Sequence, residues 1–68
     1  MFTPLETSVA HELITGATNK EIAKRLGISH FTVRDYVQNI ARKLSCRNRV
    51  EIVALLIARG DAGARPHP

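Results

Sequence analysis

The chain is poor in the features that define most small extracellular or catalytic domains. It holds one cysteine, Cys46, among 68 residues. No intrachain disulfide can form, so a disulfide-stapled secreted scaffold is excluded, and Cys46 reads as an inert packed side chain. No apolar run approaches the ~18 residues needed to span a bilayer, and the N-terminus lacks the basic-then-apolar pattern of a signal peptide. The expectation is a soluble, cytoplasmic protein. No stretch alternates apolar and polar residues for long enough to make a useful strand. His11, His30 and His67 stand far apart with no second ligand at metal spacing. There is no Gly-rich phosphate loop and no Ser/His/Asp or Cys/His pairing. We expect no enzyme, no cofactor, no metal, no membrane contact and no small-molecule ligand in this domain.

Acidic residues are also scarce where it matters. Residues 1–19 hold two acids, Glu6 and Glu12, and no base. Residues 20–49 hold eight bases and two acids, Glu21 and Asp35, so this segment carries eight minus two, a net +6. A basic patch is the electrostatic footprint of a polyanion binder, although a solvated helical face has the same composition. A chain this short buries only about 60% of its unfolded surface, so one small domain of marginal stability is expected, working fused or paired.

What the sequence does have is helix punctuation. Thr3-Pro4-Leu5-Glu6, Thr18-Asn19-Lys20-Glu21 and Asn48-Arg49-Val50-Glu51 each read as a capping box, and Pro4 suits the first helical position. Ser29 is a fourth N-cap, with Thr32 completing only half a box. Gly16, Gly27 and Gly60 supply the stops. The spacing predicts helices over 4–15, 19–26, 30–45 and 49–59, an all-α fold built as a four-helix bundle. One domain is expected over 1–60, with a flexible tail over 61–68. Leu5, Val9, Leu13 and Ile14 face one side of the first helix, and Ile22, Ala23 and Leu26 serve the second. Val33, Val37, Ile40 and Leu44 form the stripe of the third.

Opposite that stripe, the third helix presents Phe31, Arg34, Asp35, Gln38 and Arg42. Arg can fork onto guanine O6 and N7, Gln can pair with adenine, Asp can accept from cytosine N4, and Phe31 can meet a thymine methyl. A merely solvated face has the same periodicity. The junction weighs against that reading: a two-turn helix, then Gly27-Ile28-Ser29, then a long helix is the spacing of a central helix-turn-helix. Ala23 is small at the close approach, Gly27 permits a left-handed turn, and Val33 seats the following helix.

The stretch 19–34, NKEIAKRLGISHFTVR, closely resembles the core of LuxR/FixJ/GerE-type DNA-binding domains, whose pattern runs NKEIA..L.IS..TV and then I..KL...NR.E. Ile40, Lys43, Leu44, Asn48, Arg49 and Glu51 match the second part, and residues 2–6 look like that family's LTPRE start. The resemblance covers about residues 2–60. It implies that the helix over 30–45 is the recognition helix, lying in the major groove, and that the domain follows a receiver or ligand-sensing domain. By the resemblance, Arg34, Asp35 and Gln38 fall on base-contacting positions. Lys20, Thr32, Tyr36 and Lys43 fall near the phosphate backbone, with Lys24 and Arg42 as further phosphate candidates. Tyr36 stands where many members have His, Asp35 where a small or apolar residue is common, and Leu5 where Arg is usual, so the DNA site is this chain's own.

The fourth helix is apolar on two sides, which calls for two partners. The resemblance points to it as the dimerisation element, and Ile52, Leu55, Leu56 and Arg59 are expected at the interface of a weak homodimer. The expected function is sequence-specific double-stranded DNA binding by a bacterial transcriptional regulator. Two rivals use the same fold: a sigma-factor-like module whose main partner is RNA polymerase, and a protein-interaction module whose basic face is incidental.

Overall fold

The computed structural model describes residues 2–60. Among the described residues there are four helices and no strand: α1 (Pro4–Ile14), α2 (Asn19–Leu26), α3 (His30–Leu44) and α4 (Arg49–Arg59). The all-α architecture is as expected, and each helix boundary lies within a residue of its expected place. The tail over 61–68 lies outside the described residues.

Local hydrogen bonding explains the starts. Thr3 accepts from the Glu6 amide at 3.1 Å while the Glu6 carboxylate accepts from the Thr3 amide at 2.9 Å. Thr18 and Glu21 repeat this reciprocal pair at 3.1 and 2.8 Å. The third expected box differs. Asn48 caps the Glu51 amide at 2.9 Å, but Glu51 reaches one residue further back and accepts from the Arg47 amide at 2.7 Å. α3 ends at Leu44 because Ser45 turns left-handed, φ 57°, a conformation that non-glycine residues seldom adopt.

α3 is the central element, packing on α1, α2 and α4, while α1 also packs on α4. Val9, Leu13, Ile22, Val33, Ile40, Ile52 and Leu56 are wholly buried between them. Each such side chain contributes about 1.5–3 kcal/mol relative to an exposed one, so this cluster holds the fold. Two of the seven correct an expectation. Ile52 and Leu56 belong to the core and are not available to a partner chain. Leu55 lies half-buried at the flank and Arg59 is exposed near the end of the helix. The outward side of α4 is the other apolar face, where Val50 is 77% and Ile57 58% exposed. Periodicity showed two apolar sides and had no means of saying which one α1 and α3 would cover.

Among the described residues Glu6 is the one charged residue buried with the core, 4% exposed. Besides capping α1, it accepts a 2.7 Å hydrogen bond from Lys43 Nζ near the end of α3, and Lys43 also lies over the Phe2 ring at 5.8 Å. The hydrogen bond from Lys43, and then that from the Thr3 amide, hold the Glu6 carboxyl below the ordinary glutamate range, against the opposing effect of burial. Unfolded chains therefore bind more protons at this site than folded ones. The stabilisation is complete above the ordinary glutamate range and is lost as pH falls through the lowered folded value. Glu6→Gln should accordingly be less stable at neutral pH and show a shallower loss of stability between pH about 5 and about 3. Thermal melts across that window check this, and an unchanged pH slope contradicts it.

Candidate nucleic-acid interface

The connection between α2 and α3 sets the outward presentation of α3. Gly27 caps α2 at φ 71°, ψ 33°, in the left-handed region. Its amide and that of Ile28 both return to the Ala23 carbonyl, the latter at 3.0 Å. Ile28 then packs, half-buried, against the core, and Ser29 becomes an extended N-cap whose hydroxyl accepts from the Thr32 amide at 3.1 Å. Ala23 is buried on the side of α2 that meets α3. Once Val33 and Ile40 are seated in the core, the helical period sends the opposite side of α3 to solvent.

That side is open. Phe31 is 58% exposed, the side chains of Arg34 and Asp35 are 58% and 66% exposed, and Gln38 and Arg42 are exposed as well. The residues also touch one another. His30 stacks against Phe31 with ring centroids 4.2 Å apart, and the Arg34 guanidinium lies 5.6 Å from the Phe31 ring centroid. Arg34 meets Asp35 at 3.8 Å. Exposed pairs of this kind contribute about 0–1 kcal/mol, too little to hold Arg34 back from a better partner. The face thus presents a forked donor, a carboxylate acceptor, an amide with both functions and an aromatic ring, side by side along about two turns.

The flanking residues divide. Lys20 and Lys24 stand exposed on α2. Arg42 is exposed and donates to Asn39 Oδ1 at 2.8 Å. Thr32 is half-buried with its hydroxyl 3.0 Å from that of Ser29, and Tyr36 is half-buried with its ring against the core. Lys43 is exposed too, and its ammonium donates to buried Glu6 at 2.7 Å, so this expected phosphate position also ties α3 to the start of α1.

Three arrangements were not legible beforehand. The Glu6–Lys43 pair joins residues 37 apart, and only the placement of α1 across α3 shows it. Arg49 turns away from α4 to hydrogen-bond Asn19 Oδ1 and the Ala17 carbonyl, both at 2.6 Å. Arg25, counted among the bases of the patch, pairs instead with Glu12 of α1.

A short α2, a three-residue glycine turn and a longer helix with an open polar face define a helix-turn-helix module. Its family is equally plain. Residues 1–56 match the model of the bacterial regulatory proteins of the luxR family, and the chain belongs to that family. It is 40% identical over 62 residues to the nitrate/nitrite response regulator protein NarP of Escherichia coli, which covers 91% of this chain and 29% of that protein. It is 38% identical over 60 residues to the HTH-type quorum sensing-dependent transcriptional regulator VjbR of Brucella ovis, covering 88% of this chain and 23% of that protein. A probable transcriptional regulator of Cyanophora paradoxa is 44% identical over 52 residues, 76% of this chain and 25% of its own length. The chain spans less than a third of the length of these curated relatives.

The turn yields a direct test. A Cβ added at Gly27 would meet nothing within 4 Å, so the cost of Gly27→Ala is the left-handed backbone alone. We expect a loss of about 1–2 kcal/mol, hence a fall in Tm of about 4–8 °C per kcal/mol lost, with Gly27→Asn milder. Thermal unfolding followed by circular dichroism measures this; an unaltered Tm for Gly27→Ala contradicts the assigned turn.

Proposed function

We propose that the chain binds double-stranded DNA sequence-specifically as part of a bacterial transcriptional regulator, with α3 in the major groove. The observation that carries this reading is the open face of Phe31, Arg34, Asp35 and Gln38 on a helix anchored by its opposite side. Arg34 forks onto guanine, Gln38 pairs with adenine, Asp35 accepts from cytosine N4 and Phe31 meets a thymine methyl. Lys20, Lys24 and Arg42 take phosphates, helped by the hydroxyls of Thr32 and Tyr36. Asp35 offsets part of the positive charge of this face, so α3 selects bases while α2 supplies much of the attraction to the backbone. The luxR-family match and relatives named as transcriptional regulators support the same reading, which implies a cytoplasmic protein.

The second copy in this proposal sits on α4. Val50, Ala54 and Ile57 make its outward face, with half-buried Val53 at its edge, and it continues into an open groove of ≈ 410 Å³ between the end of α1 and the start of α4. A two-fold dimer through this face would set two recognition helices on half-sites about one helical turn apart, ~34–36 Å. A single small apolar face implies weak association. The same exposed face is what a module directed at another protein, such as RNA polymerase, would use; the salt response of DNA binding separates the readings.

Arg34→Ala should cost about 1–3 kcal/mol on the selected site and relax preference at one base pair, whereas Lys20→Ala should weaken all duplexes alike. Binding to a random-sequence pool followed by sequencing of the retained fraction reads both. Unchanged preference in Arg34→Ala sinks the recognition-helix assignment. For α4, Ile57→Asp should abolish any concentration-dependent dimer seen by analytical ultracentrifugation with DNA. A dimer that survives Ile57→Asp places the interface elsewhere.

A further inference from the structure

We propose that Arg49 is a positioning residue for DNA binding: by holding the Ala17 carbonyl and the Asn19 side chain, it fixes the angle at which the first turn of α2, with Lys20, meets the phosphate backbone. This rests on the reading above, in which Lys20 contacts phosphate.

The placement of Arg49 is not explained by the helix it belongs to. It occupies the first position of α4, where the helix macrodipole disfavours a cation. Its side chain leaves α4 and crosses to residues 30 and 32 positions earlier. Nη1 donates to Asn19 Oδ1 and Nη2 to the Ala17 carbonyl, each at 2.6 Å. The two acceptors lie on either side of Thr18, the N-cap of α2, so one planar guanidinium spans the cap. Lysine, a single point donor on a flexible stem, has no equivalent of this fork.

α2 needs such a tether. It has eight residues, and within it only Ile22 and Ala23 are buried. Leu26 adds a half-buried contact near the C-terminal end, whereas Asn19, Lys20 and Glu21 of the first turn bury no side chain of their own. Polar contacts constrain the two ends separately: Arg25 pairs with Glu12 of α1 near the C-terminal end, and Arg49 holds the N-terminal end to α4. Lys20 is the residue after Asn19, exposed in the turn that Arg49 fixes. A rocking first turn would carry the Lys20 ammonium off a phosphate without unfolding the domain.

The test is the salt dependence of binding by the 68-residue chain to a short mixed-sequence DNA duplex. Each phosphate neutralised contributes about −0.9 to the slope of log K against log salt. Lys20→Ala should flatten the slope by about 0.9. Arg49→Gln should flatten it by about the same amount, and the double variant Lys20→Ala/Arg49→Gln by about 0.9, not about 1.8, because both changes remove one phosphate contact. Asn19→Ala changes no charge, so a flatter slope there reflects pose; it decides the matter if Arg49→Gln does not fold. A purely structural role lowers Tm and leaves the slope alone. The proposal is overturned if Lys20→Ala flattens the slope while Arg49→Gln, or failing that Asn19→Ala, does not. Additive slopes in the double variant also overturn it, since Arg49 would then be meeting a phosphate of its own. A slope unmoved by Lys20→Ala itself refutes the underlying phosphate assignment, a distinct failure.

Discussion

The seating of α3 is the constraint on which the rest of the molecule depends. Val33 and Ile40 are wholly buried, and α1, α2 and α4 all pack around the helix that carries them. A fifteen-residue helix pinned along one stripe has no freedom to roll. Its other side must face water or a partner, with Arg34, Asp35 and Gln38 in fixed relation. Removing a buried Ile or Val to Ala in such a position costs a domain this small a large part of its stability, up to about 2–5 kcal/mol for Ile. Geometry of the reading face and stability of the fold are therefore one property.

The charges sort into two kinds around that axis. Arg25, Lys43 and Arg49 are engaged by Glu12, Glu6 and the Ala17–Asn19 turn, contacts that run between helices, though Arg25 and Lys43 stay exposed. Lys20, Lys24, Arg34 and Arg42 remain on the open side. The net +6 of residues 20–49 overstates the charge presented to a polyanion, because part of it is consumed within the fold. The Lys43–Glu6 pair shows why composition misleads here: a lysine near a polyanion surface and a lysine closing a helix contact are the same letter in a sequence.

Much of the fold was legible from local chemistry. Thr3, Thr18, Ser29 and Asn48 mark the helix starts, and Gly27 marks the turn that aims α3, because capping and left-handed backbone are set by neighbours within a few residues. The two faces of α3 followed from its period alone. What was not legible depends on contacts distant in sequence. The apolar residues of α4 alternate between two sides, and only packing on α1 and α3 assigns Ile52 and Leu56 to the core and Val50 and Ile57 to the surface. The partners of Lys43 and Arg49 lie 37 and 30 residues away and carry no local signal.

The claim that the outward face of α3 meets DNA bases is tested most directly by amide chemical-shift mapping during titration with a selected duplex at low salt. The largest perturbations should fall on residues 30–38 and on the start of α2, with the outward face of α4 responding only if a second copy binds. Perturbations gathered on α1 and α4, with residues 30–38 unmoved, would contradict the account.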